Sequence, residues 1–262
     1  MLRFRSLASL LAGAATLAVA FGASAETIKV GVTAGPHAQI LEAVKPIAAK
    51  DGLDIQIIEF TDYVIPNQAL AGGDLDANSF QHQPYLDNQV KDRGFDLVSV
   101  GKTVVYPIGI YSKKVKRLDE LQSGAKVAIP NDPTNGGRVL LLQSKGLIKL
   151  KDGGTLKASP IDIVENPKKL EIVELDAAQL PRSLDDVTVA AINTNFALEA
   201  GIDPVKDAIA REAADSPYAD VIAVRKADKD KPWVAKLVKA YNSPEVKEFI
   251  LTKFKNAVVP AF

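Results

Sequence analysis

From residue 27 onward, short apolar runs rich in Val and Ile alternate with longer amphipathic stretches, and this alternation constrains the fold of the 262-residue sequence more than any other feature. A run of about four to eight apolar residues suits a buried strand, whereas apolar positions recurring at three- and four-residue spacing mark a helix with one buried face. Strands and helices in turn predict an α/β architecture in which crossover helices cover a largely parallel sheet. Residues 27–33 predict a strand, Ala34-Gly35-Pro36 a turn, 37–50 a helix and 53–60 a second strand. Beyond them 67–71 and 84–93 predict helices, and 75–79 and 97–100 predict strands.

Residues 103–111 are extended and rich in β-branched and aromatic side chains, with Pro107 and Gly109 interrupting them. This segment reads as a crossing into a second lobe. There the pattern predicts helices at 118–122 and 137–145 and strands at 126–129, 161–164, 171–175 and 188–192. Residues 221–224 read as the return crossing, and 231–255 as two helices broken at Ser243-Pro244. The expected first lobe comprises 26–103 and 222–262, the second 104–221. Two crossings make a hinge, and a ligand belongs between the lobes.

Arg3 and Arg5 precede an apolar run from Leu7 to Phe21 that ends in Ala23-Ser24-Ala25, the pattern of a secretory leader cleaved before Glu26. The run is shorter than the roughly 20 residues a membrane span needs. The expected location is therefore the periplasm. Because the sequence contains no cysteine to carry a lipid, the expectation is also that the protein is not lipid-anchored. Removing the leader leaves 30 basic against 32 acidic side chains, a net charge near −2 that offers nucleic acid no electrostatic footprint. The sole methionine is Met1, so the processed chain would hold no sulfur, as suits a protein made when sulfur is scarce.

Two motifs carry chemistry. Ser79-Phe80-Gln81-His82-Gln83-Pro84-Tyr85-Leu86-Asp87 supplies two aromatic rings and a histidine, expected in the loop after the third strand. Asn131-Asp132-Pro133-Thr134-Asn135-Gly136-Gly137-Arg138 delivers an arginine from a Gly-rich helix start for which Asp132-Pro133-Thr134-Asn135 offers capping side chains, and exposed amides and a guanidinium fork there suit a carboxylate. Aromatic faces beside such a fork suit an aliphatic or thioether side chain. Together they describe a receptor for a zwitterionic amino acid with an apolar tail.

These motifs, with Asp62-Tyr63-Val64-Ile65-Pro66-Asn67, Gln179-Leu180-Pro181-Arg182-Ser183-Leu184-Asp185-Asp186, Ile192-Asn193-Thr194-Asn195-Phe196-Ala197 and Ser216-Pro217-Tyr218, resemble the methionine-binding substrate-binding proteins of bacterial ABC importers. The resemblance follows the same order along the whole processed chain. It implies a two-lobed periplasmic binding protein fold, type II-like, that closes on methionine and delivers it to an inner-membrane permease and its ATPase. It implies a monomer without cofactor. Carried over by position, Tyr63, Phe80, His82 and Tyr85 would wall the side-chain pocket, and Arg138 and Asn193 would take the α-carboxylate. Asp220 stands where the family usually has an asparagine facing the ligand's amino group. His37 and Asn195 are expected to be local structural residues.

Other classes fit less well. An enzyme would have to work with two histidines and no cysteine, neither histidine lying in a nucleophile or metalloprotease motif. A metal receptor needs three or four convergent ligands, and only His82 with Asp87 can be assembled. Within the receptor class, another apolar amino acid or a methionyl dipeptide remains an alternative to methionine.

Overall fold

In a computed structural model that describes residues 25–143, 146–213 and 215–262, the chain begins as a strand–helix–strand unit with parallel strands. Strands β1 (Glu26–Thr33) and β2 (Leu53–Phe60) pair in parallel from Glu26 opposite Leu53 to Thr33 opposite Phe60. Between them helix α1 (Pro36–Lys50) starts with proline at its first position, where no N–H is needed. It buries Ile40, Leu41, Val44 and Ala48 on one face, the three- and four-residue spacing seen in the sequence. Helix α2 (Ile65–Gly72) leads to β3 (Ala77–His82), and α3 (Gln83–Arg93) to β4 (Leu97–Val105).

Residues 106–108 cross to a second sheet. Its elements are β5 (Gly109–Tyr111), β6 (Lys126–Pro130), α4 (Asn135–Gln143), a small antiparallel pair β7 (Lys149–Leu150) and β8 (Ile163–Glu165), β9 (Glu171–Leu175), α5 (Leu180–Ser183), β10 (Val189–Ile192), α6 (Thr194–Glu199) and β11 (Ala210–Arg211). The chain then returns as β12 (Ala219–Arg225) and closes with α7 (Pro232–Tyr241), α8 (Pro244–Phe254) and β13 (Val259–Pro260). Spatial order is β13-β4-β12-β3-β1-β2 in one sheet and β11-β5-β10-β6-β9 in the other. The first sheet packs against α1, α7 and α8 around Ile40, Leu41, Leu237, Tyr241 and Ile250, while the second has its own core around Ile108, Ile129, Val139 and Leu140.

Three sequence expectations need correction. Residues 221–224 are not the crossing: they lie inside β12, antiparallel to both β3 and β4, so the return runs through 212–218. A strand inserted between two partners more than a hundred residues earlier leaves no local mark. The helix expected at 118–122 is a single 3-10 turn, Leu118–Glu120, because the Glu120 carboxylate caps the Lys116 N–H at 2.9 Å and Gly124 turns away with φ 79°. The strand expected at 161–164 belongs to neither large sheet; Ile161 sits in a proline-initiated turn and is 91% exposed.

Candidate functional site

The two sheets face each other across a cleft that holds about 360 Å³ free of protein atoms. The first lobe lines it with His37, Tyr63, Phe80, Gln81, His82, Tyr85 and Asp220, the crossing contributes Tyr106, and the second lobe contributes Asn135, Arg138, Asn193 and Asn195. Every site residue expected from the sequence is therefore in one cavity. Phe80 and His82 reach it from the carboxyl end of β3 and not from a loop beyond it, since the strand runs on to His82. Ligands of open α/β sheets gather at such strand ends.

Tyr63, Phe80 and Tyr85 form the apolar wall, with Tyr63–Phe80 and Phe80–Tyr85 ring centroids each 6.1 Å apart and Phe196 adding a further ring 5.1 Å from Tyr63. The Tyr85 hydroxyl donates to the Tyr63 carbonyl at 2.9 Å, which fixes one ring against the other. Burial, followed by the charges of Asp132 and Asp220, pushes Tyr63 well above its ordinary pKa. It thus remains a phenol and donates across the cleft to Asn195 Oδ1 at 2.6 Å.

His82 has both ring nitrogens engaged. The Tyr85 backbone N–H donates to Nδ1 at 3.1 Å, which caps α3, so the proton sits on Nε2 and is donated to Asn135 Oδ1 at 3.1 Å. Burial first, and the Arg138 charge second, lower its pKa from 6.5 to about 4. His82 is a neutral ring at pH 7, able to pack against an apolar ligand group and joining the lobes through Asn135. Like the Tyr63–Asn195 bond, it joins the first lobe to the second.

The Gly-rich motif works differently from expectation. Asp132 Oδ1 accepts from the Thr134 and Asn135 N–H groups at 3.3 and 2.9 Å, so the amides expected to meet an anion already hold a carboxylate of the chain. Burial raises the Asp132 pKa. A side chain on Gly137 would stand 2.1 Å from the Leu156 carbonyl oxygen, and one on Gly136 2.6 Å from that of Pro130. The glycines let α4 pack on protein backbone. Arg138, only 4% exposed, gives Nε to Glu212 Oε1 at 2.7 Å and Nη2 to Glu212 Oε2, and Nη2 also reaches the Tyr106 carbonyl at 3.1 Å. Its face lies 4.2 Å over the Tyr218 ring. One edge of the fork is thus committed to Glu212, and Nη1, with a long 3.4 Å contact to Asn135 Oδ1, has donor capacity to spare.

Asp220 pairs with His37, whose Nε2 donates to Oδ2 at 3.0 Å, and the Thr33 hydroxyl bonds the other ring nitrogen at 2.7 Å. Thr33, His37 and Asp220 stand in the order of a nucleophile, base and acid. Thr33, however, is fully buried and off the cavity wall, so no substrate carbonyl can reach its hydroxyl. Among the described residues no cluster of three or more His, Cys, Asp or Glu is placed to hold a metal ion. Three buried atoms on the lining have no partner among the described residues: Asn193 Oδ1, Asn195 Nδ2 and the Tyr106 hydroxyl. His37 and Asn195 were expected to be local structural residues, and both face the cavity. Their partners Asp220 and Tyr63 are 183 and 132 positions away, beyond any local signal.

The family model described as NlpA lipoprotein matches residues 28–262. A solved nutrient-binding protein from Burkholderia cenocepacia, described as bound to methionine, is 60% identical with a TM-score of 0.87, covering 90% of this chain and all of its own. The periplasmic substrate-binding protein of an ABC transporter from Coxiella burnetii is 52% identical with a TM-score of 0.86, covering 89% of this chain and 100% of its own. The D-methionine-binding lipoprotein MetQ of Salmonella typhi is 56% identical over 236 residues, 88% of this chain and 87% of that protein. These descriptions overturn the expectation that the protein is not lipid-anchored. That expectation rested on one residue count, the missing cysteine, at a leader that lies outside the described residues, whereas family and relative are both named as lipoproteins. The chain belongs to the NlpA lipoprotein family.

Proposed function

We propose that this protein is a receptor, not an enzyme, that captures methionine by closing its lobes and presents it to the permease and ATPase of an ABC importer. The observation that carries the reading is the cavity itself: Arg138 and Asp220 supply opposite charges to one space whose other lining side chains are aromatic rings and amides. A zwitterion with an apolar side chain matches all three features. Its carboxylate meets Arg138 Nη1 with Asn193 and Asn195 nearby, its ammonium meets Asp220, and its thioether packs among Tyr63, Phe80, His82 and Tyr85. Soft sulfur against aromatic rings is a favourable contact of about 0.3–1.5 kcal/mol. Relatives named for methionine support the same ligand.

Calorimetry with L-methionine, N-acetylmethionine and methioninamide tests this. Methionine should bind, N-acetylmethionine should lose about 2–5 kcal/mol by leaving Asp220 without its ammonium partner, and methioninamide should lose less, because Glu212 already pairs with Arg138. Absence of heat with methionine would end the reading. Because Asp220 is a stronger acceptor than the family's asparagine, Gly-Met belongs in the same titration: if it outcompetes methionine, the ligand is a methionyl dipeptide.

A further inference from the structure

Glu212 belongs to none of the motifs, yet it ties the outward crossing to Arg138. It lies just after β11, on the return crossing, with its side chain 10% exposed. Its carboxylate takes Arg138 Nε and Nη2, and Oε2 also accepts the Ile108 N–H from the outward crossing at 3.0 Å. Its own N–H donates to the Ile108 carbonyl at 3.0 Å. Arg138 is therefore held by the outward crossing through Tyr106 O, by the return crossing through Glu212, and by the Tyr218 ring against its face.

We propose that Glu212 is a positioning residue that fixes the Arg138 guanidinium to the hinge, so that the arginine meets a ligand carboxylate only through Nη1 and only when both crossings are in place. A bidentate carboxylate–guanidinium pair is planar and directional, so it sets orientation as well as charge. With Nε and most of Nη2 committed, a ligand carboxylate is received end-on and needs the amides of Asn193 and Asn195 to complete its shell. Glu212 also cancels the arginine's formal charge, leaving Asp220 as the unbalanced charge among the groups that face the ligand. The ligand's ammonium is thus demanded more strictly than its carboxylate. The ligand part of this inference rests on the methionine reading; the pinning of Arg138 does not.

Glu212→Gln keeps size but sets an amide N–H₂ against the arginine's donors, and Glu212→Asp keeps charge but shortens the reach. The full chain should be labelled with ¹⁵N-arginine and hydrogen exchange of the Arg138 Nε–H measured without added ligand, alongside calorimetry with L-methionine and methioninamide. In both variants exchange should quicken at least tenfold. Methionine affinity should fall at least tenfold, while binding of methioninamide, which has no carboxylate, changes less than threefold. Unchanged exchange overturns the inference, as does full rescue of methionine binding by Asp, which would make charge sufficient. Equal losses for both ligands would mean a purely structural role. A gain for methionine in Glu212→Gln would mean that Glu212 only neutralises charge. If the unaltered protein binds no methionine, the proposed function fails, and the exchange rates still decide whether Glu212 holds Arg138.

Discussion

Two buried clusters of side-chain amides, one on each side of the cleft, behave in opposite ways. Asn67, Asn78 and Gln81 close on themselves: Asn67 and Gln81 exchange hydrogen bonds at 2.7 and 2.6 Å, Asn78 donates to Asn67 Oδ1 at 2.9 Å, and Gln81 donates to Asn78 Oδ1 at 3.0 Å. Across the cleft Asn193 Oδ1 and Asn195 Nδ2 are equally buried and have no partner among the described residues. Burying a polar group without a hydrogen bond costs about 1–3 kcal/mol, so the first cluster is part of what holds the first lobe together and the second is matched to something else. Residue type does not separate them. Only satisfaction does.

The sharpest way to break this comparison is Asn67→Ala. Asn67 is fully buried, and its removal leaves Gln81 and Asn78 each short of a partner. Gln81 Oε1 is left with no partner, while Asn78 Nδ2 keeps the Pro66 carbonyl, and this orphan together with the cavity should lower stability by roughly 3–4 kcal/mol in urea denaturation. A loss below about 1 kcal/mol would show that the closed network contributes little and that satisfaction is no guide to role.

Acid offers a second probe, because His82 links the network's strand to the opposite lobe. Its folded pKa of about 4 lies below the ordinary 6.5, so the unfolded chain takes up a proton before the folded one does. Stability from this group is fully present above about pH 6.5 and is lost as pH falls towards 4, on the order of 3 kcal/mol in all. Protonation would also remove the acceptor that caps α3. His82→Asn keeps a capping oxygen without titrating, and should flatten the stability profile between pH 7 and 4. Parallel profiles for both proteins would contradict the burial argument.

The same contrast explains what could be read from the sequence. The unit β1–α1–β2 was legible because its two periodicities are local, and proline at the start of α1 and glycine after its end mark the boundaries. Arg138 and the aromatic residues were legible because chemistry-bearing residue types stood together in short motifs. β12 was not, since its place between β3 and β4 is set by partners far back in the chain. Glu212 was hidden for the same reason: it is an ordinary surface residue type until the fold brings it to Arg138, 74 positions away. The capping role of Asp132 was legible from its place before the glycines, but not that it would occupy the amides expected to meet an anion.

The smallest expected effect discriminates most finely. Asn193→Ala removes an amide whose Oδ1 has no partner among the described residues and that caps α6 through no side-chain bond. Nothing in the fold loses a hydrogen bond, so stability should change by less than about 0.5 kcal/mol. If the amide serves the ligand, methionine affinity should fall by about 1.5–3 kcal/mol, roughly 10- to 150-fold, the worth of a hydrogen bond to a charged group. The contrast with Asn67 is then complete in one pair of variants: one loses stability, the other loses binding. Should Asn193→Ala destabilise the protein by several kcal/mol and bind methionine normally, the unpartnered atom is a local feature of the turn before α6. The open cluster would then have to be reassigned to Asn195 and Tyr106 alone.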